Sequence, residues 1–366
     1  MRCYKYDSKF LYLHCNTTTL QPYANKTNYN VKHLKIFRTL KLALAAVLIL
    51  SANAIYAQSP KLKFNAEGKF KIVQLTDIHW KYGNPKSDIA AERMIEVLDA
   101  EKPDLVVVTG DIVFAKPAAE GMKAALAPII ERGIPFAVTF GNHDDEHDLT
   151  RAQLLELAQS MKGNLSTTTE GITGTTNYTL PVIASKADST AAMLYIFDSN
   201  SYSPNNRAKG YAWIAHDQIG WYMKQSAVYT AANGGKPLPA LAFFHIPLPE
   251  FNEAVRNEGS LMVGTRKEAA CSPKINSGLA TAMLSAGDVM GVFVGHDHVN
   301  DYAVDWRGIL LAYGRYSGGD TVYNDIPDGN GARVIELTEG SREFTTWIRI
   351  GGGRTINHTR YPADAK

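Results

Sequence analysis

The sequence predicts an α/β fold, because apolar strand-like runs alternate with amphipathic helix-like segments from about residue 70 onward. Two of these runs, "DLVVVTG" (104–110) and "GVFVGHDH" (291–298), contain the uninterrupted apolar stretches that are typical of strands buried on both faces. The stretch "DIAAERMIEVLDAE" (88–101) has apolar residues at helical spacing, and Ser87 or Asp88 can cap it. This alternation predicts a mixed or parallel central sheet flanked by helices.

The individual elements follow from the same patterns, taken in chain order. In the first half we expect a strand at 71–75, the helix at 88–101, a strand at 104–110, a helix near 117–132, a strand at 135–141 and a helix capped by Thr150. In the second half we expect a Gly- and Thr-rich loop or hairpin at 163–177, strands at 192–199 and 240–247 with a helix near 216–231 between them, a long loop at 246–276, a strand at 291–298, and antiparallel strands at 301–306, 309–314, 332–337 and 344–350.

We expect one domain, at residues 60–350. The chain has 366 residues, enough for one large domain or two ordinary ones, but no internal repeat or linker divides this region. Residues 1–57 are assigned to an N-terminal leader with a signal peptide, and residues 351–366 to a C-terminal tail.

Residues 31–57 have the order of a secretory signal peptide, with basic residues first, then the apolar run Leu42–Leu50, then small residues. The apolar run has nine residues, whereas a membrane-spanning helix needs ~20. Cleavage after Ala54 or Ala57 is therefore favoured over a short membrane anchor. We expect a periplasmic or secreted protein with no stable membrane anchor after cleavage. A translation start at Val31 is one hypothesis for the unusually polar residues before it.

Charge limits the possible binding partners, and cysteine content limits the possible disulfides. The whole chain has a formal charge of +2, but residues 58–366 hold 30 Lys or Arg against 35 Asp or Glu, a formal charge of −5. Nucleic-acid binding would need a basic patch, and no nucleic-acid partner is expected. Cys3 and Cys15 lie in the leader, so the mature chain keeps Cys271 alone and is expected to form no internal disulfide.

Polar residues follow five of the predicted strands. Ligands of open α/β sheets bind outside the carboxyl ends of the strands, so we expect these residues to converge on one rim. Glycine precedes several of them and allows close approach of the backbone to an ion. The clusters are Asp77 and His79 in "QLTDIHW", Asp111 in "VVVTGDIV", Asn142, His143 and Asp144 in "VTFGNHDD", His245 in "LAFFHIP", and His296 and His298 in "VFVGHDH".

Such a set of oxygen and imidazole ligands suits a pair of divalent or trivalent ions, such as Mn, Fe or Zn, rather than a thiolate site. A lone His on an apolar run is more often a satisfied core residue, and ion pairing across the sheet is the alternative for the whole set. Five clusters in order favour metal binding, because charges buried so close together need a strong counter-charge.

The motifs D-x-H, G-D, G-N-H-D, a lone His after a strand and G-H-x-H, in this order over roughly 70–315, resemble those of the calcineurin-like metallophosphoesterases. The segments "KGYAWIAHDQIGWY" and "ALAFFHIPLPE" further resemble the branch related to purple acid phosphatases. The resemblance implies a four-layer α/β/β/α sandwich with two mixed β-sheets. It also implies two metal ions and the hydrolysis of phosphoric esters.

The resemblance gives each cluster an expected role. His143 would contact the substrate phosphate and protonate the leaving group, and Asp144 would orient His143. The residues at 145–148 match no motif, and we expect them to be solvated loop and helix-start residues. The first ion would be held by Asp77, His79, Asp111 and His298, and the second by Asp111, Asn142, His245 and His296.

One position departs from the purple acid phosphatases. Their iron-ligating tyrosine stands three residues after the aspartate of the G-D motif, and here that position is Phe114, which has no ligand atom. Those enzymes also lack the histidine of D-x-H, which this chain has as His79. Imidazole is therefore expected to replace the phenolate, which implies a colourless enzyme whose first ion need not be ferric.

The implied function is an exported phosphoric ester hydrolase that depends on two metal ions. We expect a phosphomonoesterase whose nucleophile is a hydroxide that bridges the ions. The alternatives are a phosphodiesterase or nucleotidase of the same family, a non-catalytic metal- and phosphate-binding protein, and a structural exported protein without metal. The sequence gives no oligomeric state.

The expected partner is a small phosphate ester, and two sets of residues are candidates for its recognition. Surface charge is the favoured explanation for the basic set, and the aromatic set could either stack on an aromatic leaving group or pack within the protein. The candidate phosphate contacts are Arg256, Arg266, Lys267 and Arg315, and the candidate stacking residues are Tyr202, Tyr211 and Tyr316.

Overall fold

The computed structural model describes residues 61–257 and 259–362. The α-helices of these residues are α1 (Asp88–Glu101), α2 (Ala118–Glu131), α3 (Arg151–Gln159), α4 (His216–Ala232), α5 (Glu250–Ala254) and α6 (Leu279–Ala286). The strands are β1 (Lys69–Leu75), β2 (Leu105–Thr109), β3 (Phe136–Thr139), β4 (Tyr178–Ile183), β5 (Thr190–Ile196), β6 (Ala240–Phe243), β7 (Met262–Val263), β8 (Val289–Val294), β9 (Ala303–Trp306), β10 (Ile309–Tyr313), β11 (Gly331–Thr338), β12 (Phe344–Ile350) and β13 (Thr355–Tyr361).

The strands form two sheets, and both are mixed. The first has the order β13-β12-β11-β1-β2-β3, and the second has the order β4-β5-β6-β8-β10-β9-β7. In the first sheet β1, β2 and β3 are parallel to one another, and β11 joins β1 antiparallel. In the second sheet β5, β6, β8 and β10 are parallel. The parallel strands of each sheet carry the loops of the candidate site at their C-terminal ends.

Three hydrophobic cores lie between four layers. Helices α1 to α3 cover the outer face of the first sheet, where Met94 packs with Val106. The inner faces of the two sheets pack on each other, as Val107 and Phe243 show. Helices α4 and α6 cover the outer face of the second sheet, where Tyr222 packs with the strand residues. The predicted fold, two mixed β-sheets with helices outside them, is confirmed.

The predicted strands and helices of the first half match the structure closely. Thr150 caps α3 as expected, and its hydroxyl accepts the amide of Gln153 in a capping box. Strand β2 is buried along its whole length, because helices cover one face and the second sheet covers the other.

Three parts of the second half differ from the sequence prediction. Within the predicted tail at 351–366, Thr355–Tyr361 form β13, which pairs antiparallel with β12. The predicted long loop at 246–276 contains α5 and the two-residue strand β7. Strand β4 and helix α6 had no sequence prediction. These are short or edge elements: α5 has five residues, β7 two and α6 eight, and β4 and β13 are outer strands of their sheets.

The predicted signal peptide at 31–57 lies outside the described residues. Within the described part of the chain, no helix is long and apolar enough to cross a membrane. The contacts group Gln58–Lys366 into one compact unit, and the domain boundaries drawn from the sequence stay a prediction.

Candidate metal centre

The five polar clusters converge where the C-terminal ends of the parallel strands of both sheets meet. Strands β1, β2 and β3 end directly before the first three clusters, and β6 and β8 end directly before the last two. Hydrogen bonds hold the loops together: the amide of Asp77 donates to the Gly110 carbonyl (3.1 Å), and the amide of Gly295 donates to the His245 carbonyl (3.0 Å). The amide of His296 donates to the Asp77 carboxylate (3.0 Å) and so joins the two sheets.

Four of the predicted ligands have a left-handed backbone conformation. Their φ angles are 54° at Asp77, 46° at His79, 51° at Asp111 and 84° at His296. This conformation costs roughly 1–2 kcal/mol for a residue with a Cβ atom. Strain of this kind persists where a binding or catalytic site requires it, and here it turns each side chain off its strand toward the same space.

The loops also approach one another so closely that glycine is required. A Cβ atom on Gly141 would lie 2.1 Å from Oδ1 of Asp111, and one on Gly110 would lie 2.4 Å from the Gly141 amide nitrogen. The two loops can pass each other because neither position carries a side chain. Asp111 can therefore sit between the loops that follow β2 and β3.

The first group of ligand atoms comes from Asp77, His79, Asp111 and His298, all buried, with atoms within 4.8 Å of one another. Nε2 of His79 lies 3.0 Å from Nε2 of His298 and 3.5 Å from Oδ2 of Asp111. Nδ1 of His298 lies 2.8 Å from the Tyr323 carbonyl oxygen, which can only accept, so this nitrogen carries the proton. The lone pair of His298 is then on Nε2, facing the other ligand atoms.

The second group comes from Asp111, His245 and His296, with Asn142 beside them. Nε2 of His245 lies 3.2 Å from Oδ2 of Asp111 and 3.3 Å from Nδ1 of His296. Nδ1 of His245 donates to the Thr109 carbonyl (2.8 Å), so Nε2 carries the lone pair whenever this imidazole is neutral. Oδ1 of Asn142 is buried and has no hydrogen-bond partner. Oδ2 of Asp111 lies near histidines of both groups, so Asp111 is the residue that two ions would share.

This arrangement fits metal ions and is difficult to explain without a cation. Nitrogen and oxygen ligands bind zinc at ~2.0–2.2 Å, so two atoms that share one ion lie about 3–3.6 Å apart for angles between 90° and the tetrahedral angle. The separations of 3.0 to 3.7 Å between ligand atoms lie close to that range. Several histidines and carboxylates buried together, and an unpartnered buried amide oxygen, are costly without such a cation. The cluster can therefore bind metal ions, and the assignment of each side chain to an ion stays a prediction.

Burial and neighbouring charges have opposite effects on several pKa values in this centre. Burial raises the pKa of Asp111, but the charge and hydrogen bond of His245, together with the other histidines nearby, outweigh burial and hold that pKa well below its usual range. Burial lowers the pKa of His245, but the charge of Asp111 and its hydrogen bond raise that pKa to about 9. Burial keeps the pKa of His79 and of His296 well below the usual value. Both imidazoles are therefore neutral, as metal ligands must be.

His143 lies at the rim of the centre and contacts a residue outside the motif. Its ring centroid is 5.6 Å from that of His79, and Phe114 packs edge-on against both rings at 4.9 Å. Nδ1 of His143 lies 2.6 Å from Oε2 of Glu146. Glu146, expected from the sequence to be a solvated residue, is therefore the carboxylate that holds His143.

Asp144 has a different partner from the one the sequence suggested. Its carboxylate accepts four backbone amides, those of Asp111 (2.9 Å), Ile112 (2.7 Å), Val113 (3.2 Å) and Gly141 (2.7 Å). Burial and the charge of Asp111 raise its pKa to about 6, while the amide donors stabilise the charged form. Asp144 therefore fixes the turn that carries Asp111, and its predicted role in orienting His143 stays a prediction.

The residues that the sequence suggested for substrate recognition differ in how accessible they are to a substrate. Arg315 is fully buried and paired with Asp301, so it is not available to a substrate. Tyr316 is buried against His298. Tyr202 is 49% exposed and stacks on Tyr211, whose ring packs edge-on against that of His296 at 4.4 Å. Of the three tyrosines, Tyr202 and Tyr211 line the open rim.

The similarity to known proteins agrees with this geometry. A family model described as calcineurin-like phosphoesterase matches residues 70–300. The chain is 33% identical over 331 residues to "Probable inactive purple acid phosphatase 14" of Arabidopsis thaliana, covering 81% of each chain. It is 32% identical over 368 residues to "Phosphatase DCR2" of Saccharomyces cerevisiae, covering 91% of this chain and 62% of the yeast protein.

Two further proteins extend the comparison. The chain is 36% identical over 301 residues to "Probable inactive purple acid phosphatase 29" of Arabidopsis thaliana, covering 74% of this chain and 77% of that protein. A dimetal phosphatase from Danio rerio superposes with a TM-score of 0.55 at 13% identity, covering 79% of this chain and 98% of that one, which shows a shared fold. The resemblance found in the sequence is confirmed: this chain belongs to the calcineurin-like phosphoesterase family, among relatives that are purple-acid-phosphatase-like.

Proposed function

We propose that this chain is an exported phosphomonoesterase that depends on two metal ions. The observation that carries the proposal is a complete set of buried ligand atoms in two groups, with Asp111 common to both. No ligand position of the motif set is replaced, although two relatives are named probable inactive. The names of relatives as phosphatases support a monoester substrate.

The protein would divide the chemistry between the metal ligands and the rim. Two bound ions would supply positive charge for the phosphate ester and the acidity that makes a water molecule nucleophilic at neutral pH. His143 is half-buried beside the first group, where its ring can donate to a phosphate oxygen and protonate the leaving oxygen. Glu146 occupies Nδ1 of that ring, which leaves Nε2 for the substrate.

The test compares initial rates on 4-nitrophenyl phosphate and bis-4-nitrophenyl phosphate for protein loaded with Mn, Fe or Zn. We expect faster release from the monoester and no metal-dependent turnover in Asp111→Asn, since that substitution weakens both groups. Faster cleavage of the diester would replace the monoesterase with a phosphodiesterase or nucleotidase. Equal rates for wild type and Asp111→Asn would refute catalysis at this centre.

His143→Ala separates chemistry from metal binding. The variant should bind the same number of ions, because His143 belongs to neither ligand group. Its turnover should fall by about 10²–10⁴-fold, the usual contribution of a general acid. Undiminished turnover in this variant would contradict the assigned role.

A non-catalytic metal- and phosphate-binding protein is the second candidate, favoured by the names of the two plant relatives. It predicts metal uptake and binding of inorganic phosphate with no turnover of either ester. Metal analysis and phosphate titration of the same preparation distinguish it from the phosphatase.

Export is supported by the sequence of residues 31–57 alone. N-terminal sequencing of protein recovered from outside the cytoplasm tests it. A mature chain that begins at residue 55 or 58 would support cleavage after Ala54 or Ala57, and an intact leader would refute it.

A further inference from the structure

Tyr202 lies on a hairpin-like loop that is fastened to the loop of Asn142. The amide of Ala212 donates to the Ser201 carbonyl (2.9 Å), and the amide of Ser203 donates to the Gly210 carbonyl (2.8 Å). The Ser201 hydroxyl in turn donates to the Asn142 carbonyl at 3.2 Å. The loop therefore places the side chain of Tyr202 at a fixed distance from that of Asn142.

The Tyr202 hydroxyl joins two groups of the candidate site. It donates to Oε1 of Glu146 at 3.1 Å, and the other oxygen of Glu146 contacts His143. It also accepts from Nδ2 of Asn142 at 3.2 Å. One hydroxyl thus connects a predicted metal ligand with the carboxylate that holds His143.

The chemistry of these groups fixes which end of the Asn142 amide faces the metal centre. A carboxylate only accepts hydrogen bonds, so the single proton of the Tyr202 hydroxyl is directed at Glu146. The Tyr202 hydroxyl then offers Asn142 only its oxygen lone pairs, and the group of Asn142 that can donate to them is its NH₂ group. Oδ1 is consequently directed away from Tyr202, and it is buried and unpartnered.

We propose that Tyr202 is a positioning residue that holds the Asn142 amide with its oxygen toward the second ion. The inference rests on the metal centre of the proposed function. Groups that orient metal ligands by hydrogen bonds typically change metal affinity by about 10–100-fold when removed. The loss should be confined to the second ion, because the hydroxyl contacts no residue of the first group.

Tyr202→Phe is a clean probe, since it removes the hydroxyl and keeps the ring. The Tyr202 ring stacks on that of Tyr211, with centroids 5.7 Å apart, and phenylalanine retains this contact. Tyr229→Phe is the matched control. Its hydroxyl lies 3.3 Å from the Thr179 hydroxyl, so its removal tests the loss of a tyrosine hydroxyl away from the centre.

The experiment is a calorimetric titration of metal-free full-length protein with Mn²⁺ and with Zn²⁺. We expect two sites in wild type and in Tyr229→Phe, and about 10–100-fold weaker binding at one site in Tyr202→Phe. The weakened site is identified in a His79→Ala background, which lacks a ligand of the first ion and isolates the second. There Tyr202→Phe should weaken the remaining site by the same factor.

Unchanged affinity in Tyr202→Phe, or equal weakening of both sites, would overturn the inference. Binding of fewer than two ions by wild type would overturn it together with the dinuclear centre. Turnover by wild type is measured separately: two bound ions without ester hydrolysis would refute the proposed phosphatase and leave the positioning role in place.

Discussion

Asp144→Asn offers a direct test of how the turn around Asp111 is built. Oδ1 of Asp144 accepts the amides of Ile112 and Val113, and Oδ2 accepts those of Asp111 and Gly141. Asparagine replaces one of these oxygens with an NH₂ group. Two buried amide donors then lose their acceptor and face another donor.

The size of the effect follows from those two amides. A hydrogen bond to a charged group contributes roughly 1.5–3 kcal/mol, so two lost bonds reduce the free energy of unfolding by about 3–6 kcal/mol. The total for a folded domain is about 5–15 kcal/mol. Asp148→Asn is the matched control, because Asp148 accepts only the Ala118 amide (2.9 Å) and asparagine can still do so. It should change stability by less than about 0.5 kcal/mol.

The assay is equilibrium unfolding in urea with a chelator present, so that metal loss does not contribute to the difference. At an m value of ~1–3 kcal/mol per molar urea, the midpoint for Asp144→Asn should fall by about 1 M or more. A midpoint equal to that of wild type and Asp148→Asn, combined with reduced turnover, would refute this reasoning. That result would instead support the role suggested by the sequence, in which Asp144 serves His143.

Four further predictions concern the same centre. Glu146→Gln should reduce turnover of alkyl phosphates about tenfold more than turnover of 4-nitrophenyl phosphate, since a poor leaving group needs the proton from His143. Equal loss on both esters would contradict this expectation. Substitution of the exposed Glu156 by Gln is the control. Gly141→Ala should abolish tight metal binding, as measured by metal analysis, because the new Cβ would lie 2.1 Å from Asp111 Oδ1. The control is Gly220→Ala on α4, where a Cβ would meet no atom within 4 Å, and this variant should bind metal normally. His245 has a pKa raised to about 9 in metal-free protein, so its contribution to the free energy of unfolding is complete below pH ~6.5 and is lost as pH rises through 9. The urea midpoint measured in chelator should therefore fall between about pH 7 and 10. Binding of the second ion should tighten over the same range, with release of a proton. Iron-loaded protein should show no visible charge-transfer band, because Phe114 supplies no phenolate, and a coloured preparation would contradict that expectation.

The sequence predicts the convergence of the candidate ligands well because they are short local motifs at strand ends. Asp77, Asp111 and His245 each follow an apolar run, and the carboxyl ends of parallel strands meet at one edge. The same logic predicts the sheets, since strands such as β2 and β8 are covered on both faces and read as continuous apolar runs.

Contacts across the chain could not be predicted in this way. Tyr202 contacts Asn142 across 60 residues of sequence, and no motif marks it. The partners of Asp144 and Glu146 depend on how two loops pass each other, which no spacing reveals. Strand β13 was missed for a different reason: it is the outer strand of its sheet, and most of its side chains are partly exposed, so it lacks an alternating apolar pattern.

The left-handed conformation of four predicted ligands has a consequence for how this family changes over evolutionary time. Asp77, His79, Asp111 and His296 each hold the backbone in a strained region, and glycine at such a position removes roughly 1 kcal/mol of strain. In a descendant that no longer needs the reaction, relaxed selection for activity and selection for a more stable fold would act in the same direction at these positions. Such a lineage should keep the sandwich and replace these four residues sooner than the unstrained ligands Asn142, His245 and His298.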